Sequence, residues 1–129
     1  MEAKLLNEHL WYPTDKIFVN GKWKDCHSEK KISLENPSNG ETIAEITDAD
    51  ERDVDEAVHS ASKALSSSWG NLNATERGRL LFKLSELVKN RLDNLAFIES
   101  IDVGKPLKQA KNDAIALARY FEFYGGACD

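Results

Sequence analysis

Two cysteines, one methionine, three prolines and seven glycines in 129 residues leave few materials for several kinds of chemistry. Cys26 and Cys128 stand at opposite ends of the chain, so a disulfide framework is not expected and both read as free thiols. With His9, His27 and His59 they form no zinc-ligand spacing. The glycines never assemble a G-x-G-x-x-G run. Gly104-Lys105 is followed by Pro106, which removes a backbone donor that a phosphate-cradling loop would use. No apolar run approaches the roughly 18 residues of a membrane span. The net charge is −5, and no block of five like charges occurs. A nucleic-acid or anionic-membrane partner would need clustered Lys and Arg, so neither is expected. The stretch MEAKLLNEHLWYP carries Glu2 and Glu8 and lacks a long apolar core, so it reads as neither signal nor transit peptide and the expected location is cytoplasmic.

What is present is ordinary for a globular chain: 41% apolar and 30% charged residues. At this length one domain buries roughly two-thirds of its unfolded surface. Residues 1–16 show no sustained period and read as an N-terminal arm. Ile17 to Val19 and Lys22 to Lys24 flank Asn20-Gly21, the dipeptide best suited to a type I′ hairpin turn. Ile32, Leu34 and then Ile43 to Ile46 suggest a second strand pair around the turn cluster Asn36-Pro37-Ser38-Asn39-Gly40.

From Asp48 the period changes to helical. Asp48 and Glu51 fit capping-box spacing, and Val54, Ala57, Val58, Ala61 and Leu65 form a stripe behind them. Ser66 to Gly70 ends that helix, with Trp69 expected to anchor the loop. Asn73 and Glu76 start a second helix with the stripe Leu80, Leu81, Leu84, Leu87 and Val88. A third runs from about Asp93 to Asp102. The fourth begins near Pro106 and carries Leu107, Ala110, Ala114, Leu117, Ala118 and Phe121, with Gly125-Gly126 available to stop it. The fold class is therefore an α+β fragment: two short N-terminal β-hairpins followed by four amphipathic helices. So many apolar faces with so little sheet to cover them suggest a piece of something larger.

Two clusters invite a chemical reading. The acids Asp48, Asp50, Glu51, Asp53, Asp55 and Glu56 fall in the first turns of a helix, where negative charge suits the macrodipole, and lack the EF-hand pattern. Cys26-His27 reads as a surface turn. The less ordinary feature is Leu95 to Leu107, LAFIESIDVGKPL. There Leu95, Ile98 and position 102 share one helical face, yet position 102 is Asp102. Gly104 supplies a left-handed cap and Pro106 tolerates the next helix start. Asp102 either bonds the backbone or Lys105 at this corner, or orders a bound cation or a neighbouring segment.

In sequence order the motifs are FVNGKW, ENPSNGETIAEI, ADERDVDEAVHSASKAL, a lone W, ERGRLLFKLSELV, LAFIESIDVGKPL and ARYFEFYGGACD. Each is weak alone; in this order and spacing, from about Ile17 to Asp129, they resemble the N-terminal part of NAD(P)-dependent aldehyde dehydrogenases. In look they are nearest to the betaine-aldehyde-type members. The resemblance implies that residues 17–129 are an incomplete N-terminal portion of the aldehyde dehydrogenase domain, belonging to a Rossmann-like α/β cofactor-binding domain. It implies a parent enzyme that oxidises an aldehyde to an acid through a cysteine thioester, with hydride passing to NAD or NADP and a glutamate activating water. Cys26 and Cys128 do not match that nucleophile, and no glutamate here matches that base, so the isolated chain is expected to be catalytically silent and to bind no dinucleotide. The expected partners are the rest of an aldehyde dehydrogenase polypeptide or other subunits. A stand-alone, non-catalytic module that associates with full-length subunits is the alternative. Some members bind a monovalent cation between domains; the matching positions are Asp102 and the carbonyls of Leu34 and Glu35, an incomplete site.

Overall fold

A computed structural model of the chain describes residues 13–128. The first twelve residues of the expected arm, with His9, and the terminal Asp129 lie outside the described residues. The chain divides into two units, Met1–Asn71 and Leu72–Asp129.

Among the described residues the first unit holds both hairpins and one helix. Strands β1 (Ile17–Val19) and β2 (Lys22–Lys24) pair antiparallel, with Phe18 opposite Trp23. Asn20 and Gly21 take φ of 52° and 74°, the two left-handed positions of a type I′ turn. Strands β3 (Lys31–Glu35) and β4 (Thr42–Thr47) form a second antiparallel pair whose ladder is interrupted between Leu34 and Glu35. Gly40 closes the turn at φ 74°, its N–H donating to the carbonyl of Asn36 at 2.8 Å. Helix α1 (Glu51–Leu65) packs against β1.

The α1 start lies two residues later than the Asp48–Glu51 spacing suggests. Asp48 is still tied to the hairpin, its N–H donating to Lys30 O at 2.9 Å, so Asp50 becomes the N-cap and Asp53 the third helical residue. The expected apolar stripe of α1 is open: Val54, Val58 and Leu65 are exposed, and the buried α1 residue is Asp53. Two narrow hairpins have too little surface to cover it. Trp69, expected to anchor its loop, is likewise 42% exposed.

The second unit is helical: α2 (Ala74–Lys89), α3 (Leu92–Val103) and α4 (Leu107–Gly126). Asn73 and Glu76 form the expected capping box. Gly104 ends α3 at φ 72°, and Pro106 stands at the N-cap of α4 with its carbonyl accepting from Gln109 and Ala110. Helix α4 packs against both α2 and α3. The buried layer is made mostly of small residues, Gly78 and Ser85 beside Val88 on α2, Ala96 on α3, and Ala110, Ala114, Ala118 and Gly125 on α4. Small side chains bring the helix axes close but leave larger ones outside. Leu80, Leu84 and Leu87 on α2 and Leu107, Leu117, Phe123 and Tyr124 on α4 are therefore exposed.

Gly125-Gly126 does not stop α4, which runs through Gly126 to the C-cap Ala127. The role of Gly125 is close approach. A Cβ on Gly78 would lie 2.6 Å from the Gly125 carbonyl oxygen, and one on Gly125 would lie 3.1 Å from that of Gly78.

Candidate functional site

The densest polar cluster gathers around Asp53, in the first turn of α1. Asp53 is 2% exposed, and four groups meet its carboxylate. The Cys26 thiol donates to Oδ2 at 2.7 Å, His27 Nδ1 meets Oδ1 at 2.6 Å, and the His27 N–H reaches both oxygens at 3.2 Å. The Asp50 N–H completes the capping box at 3.2 Å. In return Asp50 accepts from the N–H groups of Arg52 and Asp53 and holds the Arg52 guanidinium, with Nη2 at 2.6 Å. Donation from the Cys26 thiol, followed by that from His27, holds the Asp53 carboxyl far below the usual carboxylate range despite its burial. Burial pushes the Cys26 thiol upward, and the hydrogen bond it makes to the anionic Asp53 adds to the shift. Cys26 is thus a thiol held as a donor, the opposite of an activated nucleophile.

His27, Asp50 and Asp53 bring ligand-type atoms within 4.8 Å of one another. Their lone pairs are already committed: Asp53 to four donor groups and Asp50 to Arg52 and the helix N-terminus. A cation there would also face the positive end of α1. The donor set suits a cap that ties the 26–27 segment to the helix. Beside it lies an open hollow of about 640 Å³, lined by Ala49 and by charged groups of both signs, among them Glu29, Lys30, Asp48, Asp50 and Arg52. The cap was not legible as such from the sequence, where Cys26-His27 reads as a surface turn. Its available signal was the D-x-x-D spacing of Asp50 and Asp53.

Each residue expected at a cation site falls in a definite place. Leu34 and Glu35 lie on β3 at the ladder interruption, in the first unit. Asp102 is near the end of α3 in the second unit and is exposed, although helical spacing puts it on the face of Leu95 and Ile98. Nor is it the partner of Lys105. That ammonium is held by Glu99 at 2.9 Å and Asp113 at 2.7 Å, while Ser100 Oγ donates to the Lys105 carbonyl at 2.7 Å. Asp113 first, then Glu99, raises the Lys105 pKa. Among the described residues both cysteines are free thiols, and the Cys128 thiol donates to the Tyr124 carbonyl one helical turn back.

Nothing in the described residues resembles a dinucleotide cradle. Both sheets are two-stranded antiparallel hairpins, with no parallel strand feeding a helix through a glycine-rich turn.

The architecture, hairpin, hairpin and then four helices, is that of a known family segment. Residues 23–129 match the aldehyde dehydrogenase family. The chain belongs to that family. It is 40% identical over 117 residues to human retinal dehydrogenase 2, covering 88% of this chain and 23% of that protein. It is 34% identical over 114 residues to betaine aldehyde dehydrogenase of Bacillus subtilis, again covering 88% and 23%. The crystal structure of betaine aldehyde dehydrogenase from Staphylococcus aureus in complex with NAD+ shares the fold, with a TM-score of 0.89 and 23% identity over 97% of this chain and 25% of that one. The similarity is to the N-terminal part of these enzymes, and the chain spans about a quarter of the length of the curated relatives it matches.

Proposed function

We propose that this chain serves as the N-terminal structural segment of an NAD(P)-dependent aldehyde dehydrogenase, whose parent activity is oxidation of an aldehyde to a carboxylic acid. The family match over residues 23–129 carries the reading. On this reading the chemistry and the cofactor belong to the remainder of the parent, and Cys26, whose thiol donates to Asp53 at 2.7 Å, serves the fold. The names of relatives support NAD for that parent and a small or retinoid aldehyde as substrate class. Among the described residues no helix is long and apolar enough to cross a membrane.

In this reading the segment's work is packing. Its exposed apolar faces, Val54, Val58 and Leu65 on α1 and Leu80, Leu84 and Leu87 on α2, meet the Rossmann-like domain of the same polypeptide. At roughly 25 cal/mol per Å² of apolar surface, covering such faces is a substantial stabilisation. The same faces support the second reading, association with full-length subunits. A monovalent cation is the remaining assignment. The ladder interruption at Leu34 and Glu35 fits carbonyls turned from strand pairing, as a bulge does. The exposed carboxylate of Asp102 fits a hard oxygen ligand.

The test exchanges segments. A chimera of the Bacillus subtilis enzyme carrying residues 23–129 of this chain in place of its own segment is expected to assemble and keep aldehyde-dependent NADH formation. The chain alone, with NAD+ and small aldehydes, is expected to form none. A soluble but inactive chimera, or turnover by the chain alone, would overturn the proposal. For the cation, the parent's melting temperature should rise with potassium, and Asp102→Asn should abolish the rise.

A further inference from the structure

The chain contains two Asn-Gly pairs, Asn20-Gly21 and Asn39-Gly40, and the fold treats them differently. Asparagine before glycine is the dipeptide most open to attack of the following backbone nitrogen on the side-chain amide, because no Cβ blocks the approach. At Asn39 every participant is held. Its Oδ1 accepts from the Glu41 N–H at 3.0 Å, its Nδ2 donates to Glu41 Oε2 at 3.3 Å, and the nucleophile, the Gly40 N–H, is spent on the Asn36 carbonyl at 2.8 Å. At Asn20 none is. The residue is exposed, and among the described residues neither its side chain nor the Gly21 N–H makes a hydrogen bond. A Cβ built on Gly21 would meet nothing within 4 Å. The strands on either side are three residues each, so this hairpin opens at small cost and lets the amide and nitrogen align.

We propose that Asn20 is a site of spontaneous deamidation and that the fold protects Asn39. The Gly21 nitrogen attacks Asn20 Cγ, forming the C–N bond of a five-membered imide. The Cγ–NH2 bond breaks, and ammonia leaves with the proton given up by Gly21. Water then opens the imide at one of its two carbonyls, yielding aspartate or isoaspartate at position 20, with no oxidant or reductant involved. Aspartate tolerates the positive φ of the turn. Isoaspartate does not preserve it: the main chain gains one carbon between Val19 and Lys22. The pairing of Phe18 with Trp23, whose rings stand 5.0 Å apart, loses its register. Either product adds a negative charge to a chain already at −5.

The test is to age the full chain at mildly alkaline pH and follow both positions by peptide mass spectrometry, in native buffer and in concentrated urea. In buffer the gain of about one dalton should appear at Asn20 at least about tenfold faster than at Asn39, since breaking three hydrogen bonds separates the two. In urea the rates should converge, and Asn20→Gln should abolish the change in its peptide. Equal rates in buffer, faster reaction at Asn39, a difference that persists in urea, or no reaction at Asn20 would each overturn the proposal.

Discussion

Cys26 and Asp53 are 27 positions apart in the chain, yet the thiol of one donates to the carboxylate of the other across 2.7 Å. The bond closes the first unit, joining the exit of β2 to the first turn of α1. Asp53 also meets two groups of His27 and the Asp50 N–H, so one buried carboxylate satisfies a loop and a helix start together. Asp53→Ala would remove the acceptor that the Cys26 thiol, His27 and the Asp50 N–H share. The expected fall in the thermal midpoint of the chain is roughly 5–10 °C. Cys26→Ser, which keeps a donor, should cost less than half of that. Equal losses would show that the thiol contributes packing alone.

The same carboxylate makes the first unit acid-sensitive. Asp53 has a folded pKa lowered below its unfolded value, so it stabilises the folded state above the ordinary carboxylate range. That contribution shrinks as pH falls below about 4 and is lost on passing through the depressed folded value. Urea midpoints followed by Trp23 fluorescence should therefore drop between about pH 4 and pH 2. In Asp53→Asn the drop should be clearly smaller; an unchanged pH profile in that variant would assign the effect elsewhere.

Three glycines near the α2–α4 contact give a graded series. Gly78→Ala drives a methyl to 2.6 Å from the Gly125 carbonyl, a backbone atom that cannot swing aside, and should cost about 2–3 kcal/mol. Gly125→Ala meets Gly78 O at 3.1 Å and the Phe82 ring at 3.2 Å, and Phe82 can yield, so it should cost less. Nothing lies within 4 Å of a Cβ on Gly126, and Gly126→Ala should be neutral or stabilising by up to about 1 kcal/mol. Urea unfolding of the three variants would show this order; any inversion of Gly78 and Gly126 would contradict the close approach.

At the α3–α4 corner the charge that matters is Lys105. Because Glu99 and Asp113 hold it, Glu99→Ala or Asp113→Ala should lower the midpoint of the isolated chain by roughly 1–3 °C, as partly exposed pairs do. Asp102→Ala should be silent to within about 1 °C in the same chain. A larger effect at Asp102 would return it to the corner's structural role.

The hairpins and helices were legible because their signals are local. Asn20-Gly21 demanded a type I′ turn, Asn73 and Glu76 a capping box, and Gly104 a left-handed stop, and each occurs where its residues require. Periodicity was less reliable about depth. It marks which residues share a face, and Val54, Val58 and Leu65 do share one, but whether anything covers that face is decided by other segments. Asp102 shows the same limit, as an acid on an apolar stripe that ends exposed. The glycine pair Gly78 and Gly125 is a further case: 47 residues apart, they matter only because two helices cross there.

What the amino-acid sequence determined by itself was therefore the order and type of elements and, through the order of its motifs, the family. Caps, turns and periods act over a few residues and need no partner. Tertiary structure alone decided that Asp53, one acid among six in its cluster, is the buried one, that Cys26 is its donor, and that Lys105 chooses Glu99 and Asp113 over Asp102. Those choices depend on which distant groups are brought within about 3 Å, the range at which hydrogen bonds form, and local sequence does not encode that distance.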